Sequence, residues 1–266
     1  MVDPTPFPCH ATVVTKAPLS STRLVWAIAF PAMLANVATA LFGLADMSVI
    51  GRLGDPAAQG AVELGAKYML GMLNVFNFLR TGTVALTAQA AGRGDTSAQA
   101  ATLARALAAA GAIGAVMMVA MPFSVPLGLD FLEAHGPLRL AASTYVEIRY
   151  WSGPIWLVNC VLVGWLIGRR KVRAVLCVEI AANIVHIALA LALVLGLHWG
   201  VAGVATATLL SEIFKSVLLF AFASREPAVR LVVSVARQRA TWAKSSLKAL
   251  FAINRDLFLR TALLTT

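Results

Sequence analysis

Charge is what this sequence has least of. Only 13% of its 266 residues are Asp, Glu, Lys or Arg, against 59% hydrophobic ones, and the mean hydropathy is +0.80. A water-soluble domain is about a quarter charged and at most about half apolar, so a soluble globular fold is excluded. Cysteine is scarce too: Cys9, Cys160 and Cys177 are odd in number and widely spaced, which supports neither a disulfide framework nor a zinc site. The phosphate-cradling GxxxxGK[ST] and metal-binding HExxH patterns are missing, and no polar residues form a nucleophile and base pair, so nothing points to catalysis or to a cofactor. Polar and apolar residues do not alternate along the long apolar stretches, which excludes a β-barrel. Backbone groups in lipid must be satisfied within their own segment, so helices remain.

The net charge of +10 with a pI near 10.3 invites a nucleic-acid reading, but that needs a basic, aromatic-studded soluble surface. Here the positive charge lies between apolar segments. About 20 apolar residues cross the hydrocarbon layer, and six segments qualify: 24–50, 61–90, 98–122, 138–168, 174–196 and 200–223. Turn-rich breaks separate them, among them Gly51-Arg-Leu-Gly54-Asp55-Pro56, Gly92-Arg-Gly94-Asp95 and Gly196-Leu-His-Trp-Gly200. Lys16, Arg23, Arg93, Arg105, Arg169, Arg170, Lys171, Arg173 and the basic residues after 224 fall in alternate connections, with only Arg52, Lys67 and Arg139 in the others. The asymmetry predicts a cytoplasmic N-terminus.

Residues 1–22, with Asp3 and four prolines but no apolar core run, read as a cytoplasmic disordered tail and not a cleaved signal peptide. Residues 23–223 are the six-helix unit. Within 224–248, the stretch 228–248 mixes apolar and basic residues without a spanning run, as an amphipathic helix on the cytoplasmic leaflet does. Residues 249–266 look like a seventh helix cut short, so the chain reads as the first half of something larger. The predicted fold is an all-α membrane protein: a six-transmembrane-helix bundle, an interfacial linker helix and the start of helix 7.

A charge inside a membrane helix costs several kcal/mol and is a functional candidate by default. Asp46 closes the first apolar segment; it is either a carboxylate buried among helices or an interfacial end residue. Glu179, Asn183 and His186 are spaced i, i+4 and i+7 and so share one face of the fifth span. His186 lies near mid-membrane, where it is either a proton carrier or a neutral ring bonded to a neighbouring helix. Glu179 is expected to pair with Arg173 or Arg170, and Glu212 with Lys215 three residues on. Thr206 and Thr208 follow the small-residue stretch Gly200-Val-Ala-Gly203; their hydroxyls serve either an ion site or their own backbone. Asn74, Asn77, Arg80, Tyr145, Glu147, Arg149 and Trp151 are candidates to line a cavity.

Seven ordered stretches carry a family likeness: Phe30-Pro31-Ala-Met-Leu-Ala-Asn36; Leu44-Ala-Asp46-Met-Ser-Val-Ile-Gly51-Arg-Leu-Gly54; Phe78-Leu-Arg80-Thr-Gly-Thr83; Ala88-Gln-Ala-Ala-Gly92-Arg-Gly-Asp95; Tyr145-Val-Glu-Ile-Arg149-Tyr-Trp-Ser-Gly-Pro154; Gly164-Trp-Leu-Ile-Gly168; and Ile253-Asn-Arg-Asp256-Leu-Phe-Leu-Arg260. From about residue 23 to its end the chain resembles the MATE (multidrug and toxic compound extrusion) transporters, in particular their DinF-like branch. The resemblance implies the N-terminal lobe of a twelve-helix fold, with a second lobe or a half-transporter partner needed to complete it. It implies a multi-pass protein of the bacterial inner membrane that exports a small organic or cationic substrate against proton or sodium influx. Asp46 takes the place of the family's helix-1 aspartate, Pro31 that of a hinge proline, and Thr208 that of a threonine near the cation site; Asn36 joins the cavity-lining candidates. The family's Asn-x-x-x-Asp pair falls on His186 and Ala190, with Asn183 one turn away. Losing that second carboxylate favours a proton over sodium. Transport of a lipid-linked precursor, or an inactive half-transporter, are the alternative readings.

Overall fold

The computed structural model describes residues 43–44, 46–52 and 54–242, Ala240 by its backbone alone. Every regular element among them is helical. Residues 46–51 are helical (α1). Then follow α2 (Pro56–Asn74), a 3-10 turn (Val75–Asn77), α3 (Phe78–Gly92), α4 (Thr96–Phe131), α5 (Gly136–Tyr150) and α6 (Ser152–Gly168). Next come α7 (Val172–Ala190) with a π-helical continuation (Leu191–Gly196), α8 (Gly200–Ser224), α9 (Pro227–Arg230), α10 (Val232–Ala236) and a 3-10 turn (Arg239–Trp242). The tail 1–22, most of the predicted span 24–50 and residues 243–266 lie outside the described residues.

The two Gly-Asp breaks act as helix starts. Gly54 and Gly94 each take φ +67, a conformation cheap only for glycine. The aspartate that follows turns its carboxylate to the new helix: Asp55 accepts from the amides of Ala57 and Ala58 at 2.9 and 3.3 Å, and Asp95 from that of Ala98 at 2.8 Å. Each satisfies first-turn donors that the helix itself leaves open.

The structure changes several predicted spans. Thr96–Phe131, Val172–Gly196 and Gly200–Ser224 are long and apolar enough to cross a membrane. Segment 98–122 thus extends through Pro122 and Pro126 to Phe131. Segment 61–90 falls within the run of α2, 3-10 turn and α3; bearing Glu63, Lys67, Asn74, Asn77 and Arg80, these helices are not among those long and apolar enough to cross a membrane. Segment 138–168 is not one straight helix: α5 and α6 meet at 44° and count as a fourth span only together. Pro154 has no amide to offer the carbonyl of Tyr150, and the Ser152 hydroxyl donates instead to the Arg149 carbonyl at 2.6 Å.

The central helix is α6, which packs against α3, α4 and α8. Small residues allow the approach. A Cβ on Gly164 would lie 2.6 Å from the Arg80 carbonyl oxygen, and one on Gly168 2.9 Å from that of Val84, so α3 and α6 touch backbone to backbone. The Tyr145 ring of α5 likewise occupies the space that a Cβ on Gly65 of α2 would need.

The predicted amphipathic helix 228–248 is broken, as far as it is described, into α9, α10 and the last 3-10 turn. The Thr241 hydroxyl donates to the Val235 carbonyl at 2.6 Å and the Trp242 indole to that of Ala236 at 2.8 Å. These side chains satisfy the end of α10 and turn the chain back, while Val235 packs against Ala100 and Ala101 of α4.

Candidate functional site

Three helices bring polar groups together in the apolar interior. The first is α1, which carries Asp46; α7 carries His186, and α8 carries Thr208 and Ser211. Asp46 is 5% exposed and His186 0%. His186 Nε2 and Asp46 Oδ1 are 2.7 Å apart, and the other ring nitrogen, Nδ1, lies 3.5 Å from the Ser211 hydroxyl. A buried charge needs a hydrogen-bonded partner, and each group is that partner for the other. Thr208 is buried beside them, its hydroxyl donating back to the Val204 carbonyl at 3.1 Å. Among the described residues no group of three His, Cys, Asp or Glu side chains is placed to hold a metal ion.

The MatE family profile matches residues 31–192. The chain belongs to the MatE family. Over 245 residues it is 34% identical to the DNA damage-inducible protein F of Escherichia coli K12, a match covering 92% of this chain and 53% of that protein. A weaker match, 25% identical over 116 residues, is to Protein DETOXIFICATION 43 of Arabidopsis thaliana and covers 43% of this chain and 22% of that one. Among solved structures, MATE in the bent conformation superposes with a TM-score of 0.79 at 21% identity, over 91% of this chain and 53% of that one. A MOP superfamily transporter from Pyrococcus furiosus gives 0.76 at 22% identity, over 86% and 50%. The structures establish the fold, and the chain spans about half the length of the relatives it matches at full extent.

The other predicted site residues of this MatE chain are spread more widely. Pro31 and Asn36 lie outside the described residues. Asn183 is half-buried one turn before His186 on α7. Tyr145 is buried within electrostatic range of both Asp46 and Arg149, and Arg149 donates to the Ser152 hydroxyl at 3.3 Å. Asn77 and Arg80 are exposed on the bundle surface. A cleft of about 360 Å³ opens between α4 and α5, lined by Arg139, Ser143 and Glu147 together with apolar residues of α4. Asn77, Arg80, Tyr145 and Arg149 are not among its lining residues.

One expected ion pair is replaced by another. Glu179 is bonded to Lys215 at 2.8 Å, not to Arg170 or Arg173. Glu212 lies within electrostatic range of Lys215, as expected, and its carboxylate also accepts from the Asn159 side-chain amide at 2.7 Å. Packing of α7 on α8 sets a carboxylate opposite an ammonium, and that cross-helix contact prevails over partners nearer in sequence. Ser211 and Asn159 escaped the sequence reading. A signal for Ser211 was present, because Thr208, Ser211 and Lys215 at i, i+3 and i+7 mark one face of α8.

Proposed function

We propose that this six-helix unit is one lobe of a proton-driven antiporter that exports organic, cationic or amphipathic compounds across a bacterial inner membrane, its N-terminus in the cytoplasm. Alternating access requires one repeat to move against another around a midplane site, so the lobe works opposite a second one. The observation that carries the reading is the Asp46–His186 pair, buried and 2.7 Å apart. Asp46 is the proton carrier. His186 is its hydrogen-bonded partner. Asn183 and Thr208 complete the polar lining.

A proton suits this site better than sodium. A hard cation requires several oxygen ligands, yet an imidazole nitrogen already occupies one oxygen of Asp46, Thr208 directs its hydroxyl to its own helix, and Ala190 stands where the family pattern has a second carboxylate. Pairing with a second lobe also accords with a chain that spans 53% of its Escherichia coli relative.

Asp46→Asn, introduced into a two-lobe protein carrying this lobe, should reduce pH-driven efflux of a fluorescent cationic drug to background in inverted vesicles. The amide keeps the size of the side chain and removes the titration. Efflux that persists at the unmodified rate rejects Asp46 as carrier.

A further inference from the structure

The cleft between α4 and α5 has one apolar wall and one polar wall. The apolar wall is Met118, Met121, Pro122, Val125, Pro126 and Leu129 of α4. The polar wall is Arg139, Ser143 and Glu147, one helical turn apart on a single face of α5. Arg139 is bonded to Asp130 at the end of α4, so that end of the cleft is balanced. Glu147 is not. Its Oε1 accepts from the Ser143 hydroxyl at 2.6 Å, and among the described residues no cation or donor meets its Oε2. It lies about three turns into the bent span of α5 and α6, roughly 16 Å from the start of α5, where an uncompensated charge is costly.

The apolar wall adds acceptors of its own. Pro122 and Pro126 lie inside α4 and have no amides for the carbonyls of Met118 and Pro122, four residues earlier. Residues 118, 122 and 126 all line the cleft, so the two carbonyls are left open on its side of the helix. The Asp130 to Arg139 bond fixes the register of this antiparallel pair. Eight residues onward along α5 and eight back along α4 bring Glu147 level with Pro122, between those carbonyls. A carboxylate oxygen and two carbonyls without donors are matched by a group that offers several N–H bonds and one positive charge, as an alkylammonium does. We propose that the cleft binds an amphiphilic primary or secondary ammonium compound, its N–H groups on Glu147 and the Met118 and Pro122 carbonyls and its apolar body along the methionine and proline wall. At about 360 Å³ the cleft has the size of a small-molecule site, and methionine side chains adapt to varied apolar shapes. Val119, Phe123 and Leu127 are exposed beside it, so the ligand enters along an apolar face. Neither Asp46 nor His186 lines the cleft, and the site stands without any role for that pair.

The test titrates dansylcadaverine, a fluorescent primary amine, into the full chain in phosphatidylcholine nanodiscs, with empty nanodiscs as the baseline. Wild type should bind it saturably. The trimethylammonium analogue of the probe keeps the charge but has no N–H, and should bind about tenfold or more weakly, the worth of a hydrogen bond to a charged group. Glu147→Gln, a change at an exposed position, should weaken the primary amine by a similar factor. The double variant Pro122→Ala with Pro126→Ala returns amides to both carbonyls and should weaken it several-fold. Equal affinity for the two probes overturns the inference, and that comparison is made on wild type, so it needs no variant to fold. An affinity unchanged in either variant overturns it as well. Binding that is lost in Asp46→Asn and kept in Glu147→Gln would place the amine at Asp46 and reject the cleft. Nanodiscs rebuilt with phosphatidylethanolamine, whose headgroup is itself a primary ammonium, should leave binding in place; loss of binding there would assign the cleft to a two-chain lipid and overturn the proposal.

Discussion

Two buried ionic sites in this lobe are built on opposite plans. At the end of the bundle that carries the Arg169–Arg173 loop, Glu226 takes hydrogen bonds from both Arg169 and Lys171, the latter at 2.8 Å. Arg169 also reaches the Gln99 side chain and lies 4.9 Å above the ring of Trp165, whose indole donates to the Gln99 carbonyl at 3.0 Å. One carboxylate thus meets two permanent cations, and the contacts tie α4, α6 and the end of α8 together. Burial resists the charge on Glu226, but the hydrogen bonds and charges of Lys171 and Arg169 outweigh it and hold its pKa below the usual carboxylate range. In the interior, Asp46 meets the imidazole of His186 at 2.7 Å. Redundant fixed cations keep a carboxylate ionised and serve cohesion, whereas the interior carboxylate has an imidazole as its hydrogen-bond partner.

Removing the hub of the cohesive site should have the largest effect on folding. Arg169→Ala strips Glu226 and Gln99 of a partner and uncovers Trp165. Breaking a buried pair from one side costs about 3–5 kcal/mol, so thermal melting in detergent should show a steep loss and membrane yield should fall. A variant as stable as wild type would mean that Lys171 alone suffices and that the redundancy has no structural purpose.

Glu226→Gln is the milder cut, expected to cost about 1.5–3 kcal/mol, the worth of hydrogen bonds to a charged group. The folded-state pKa of Glu226 is depressed, so its contribution is present above the unfolded-state pKa and is lost as pH falls through the folded-state value. Wild type should therefore lose stability on acidification, and the glutamine variant should lack that part of the slope. Melting curves at a series of acid pH values measure the difference. Parallel curves would show that the bonds to Glu226 do not depend on its charge.

The two sites also differ in how far the sequence reveals them. Asp46 and His186 stand out because a polar group in a long apolar segment is costly enough to need a reason, and hydropathy with turn signals locates most of the helices around them. That the two side chains meet depends on how α1 and α7 are rotated about their axes, and helical spacing fixes a face without saying which neighbour it turns toward. The same gap explains Glu179, whose sequence neighbours Arg170 and Arg173 lose to Lys215 on another helix. It explains Asn159 as well, a single amide in an otherwise apolar stretch of α6. The bend at Trp151 does have a signal: Pro154 lies inside the segment 138–168, and a proline in a helix interior bends the chain just ahead of it.

The smallest expected effect is the sharpest probe of the contrast. Ser211 lies 3.5 Å from His186 Nδ1, at the limit of a hydrogen bond, while its hydroxyl is committed at 2.8 Å to the Thr208 carbonyl of its own turn. Such back-bonds contribute little to a helix, and alanine is the better helix former by about half a kcal/mol. Ser211→Ala should therefore change stability by no more than about 0.5 kcal/mol in either direction. In the proposed antiporter it should nonetheless move the pH midpoint of transport, because the hydroxyl lies beside the ring nitrogen that faces away from Asp46. A loss approaching that of Arg169→Ala would mean that the interior cluster holds the helices together as the other end does. A midpoint that stays in place would limit the proton-bearing unit to Asp46 and His186, with α8 contributing only its bulk.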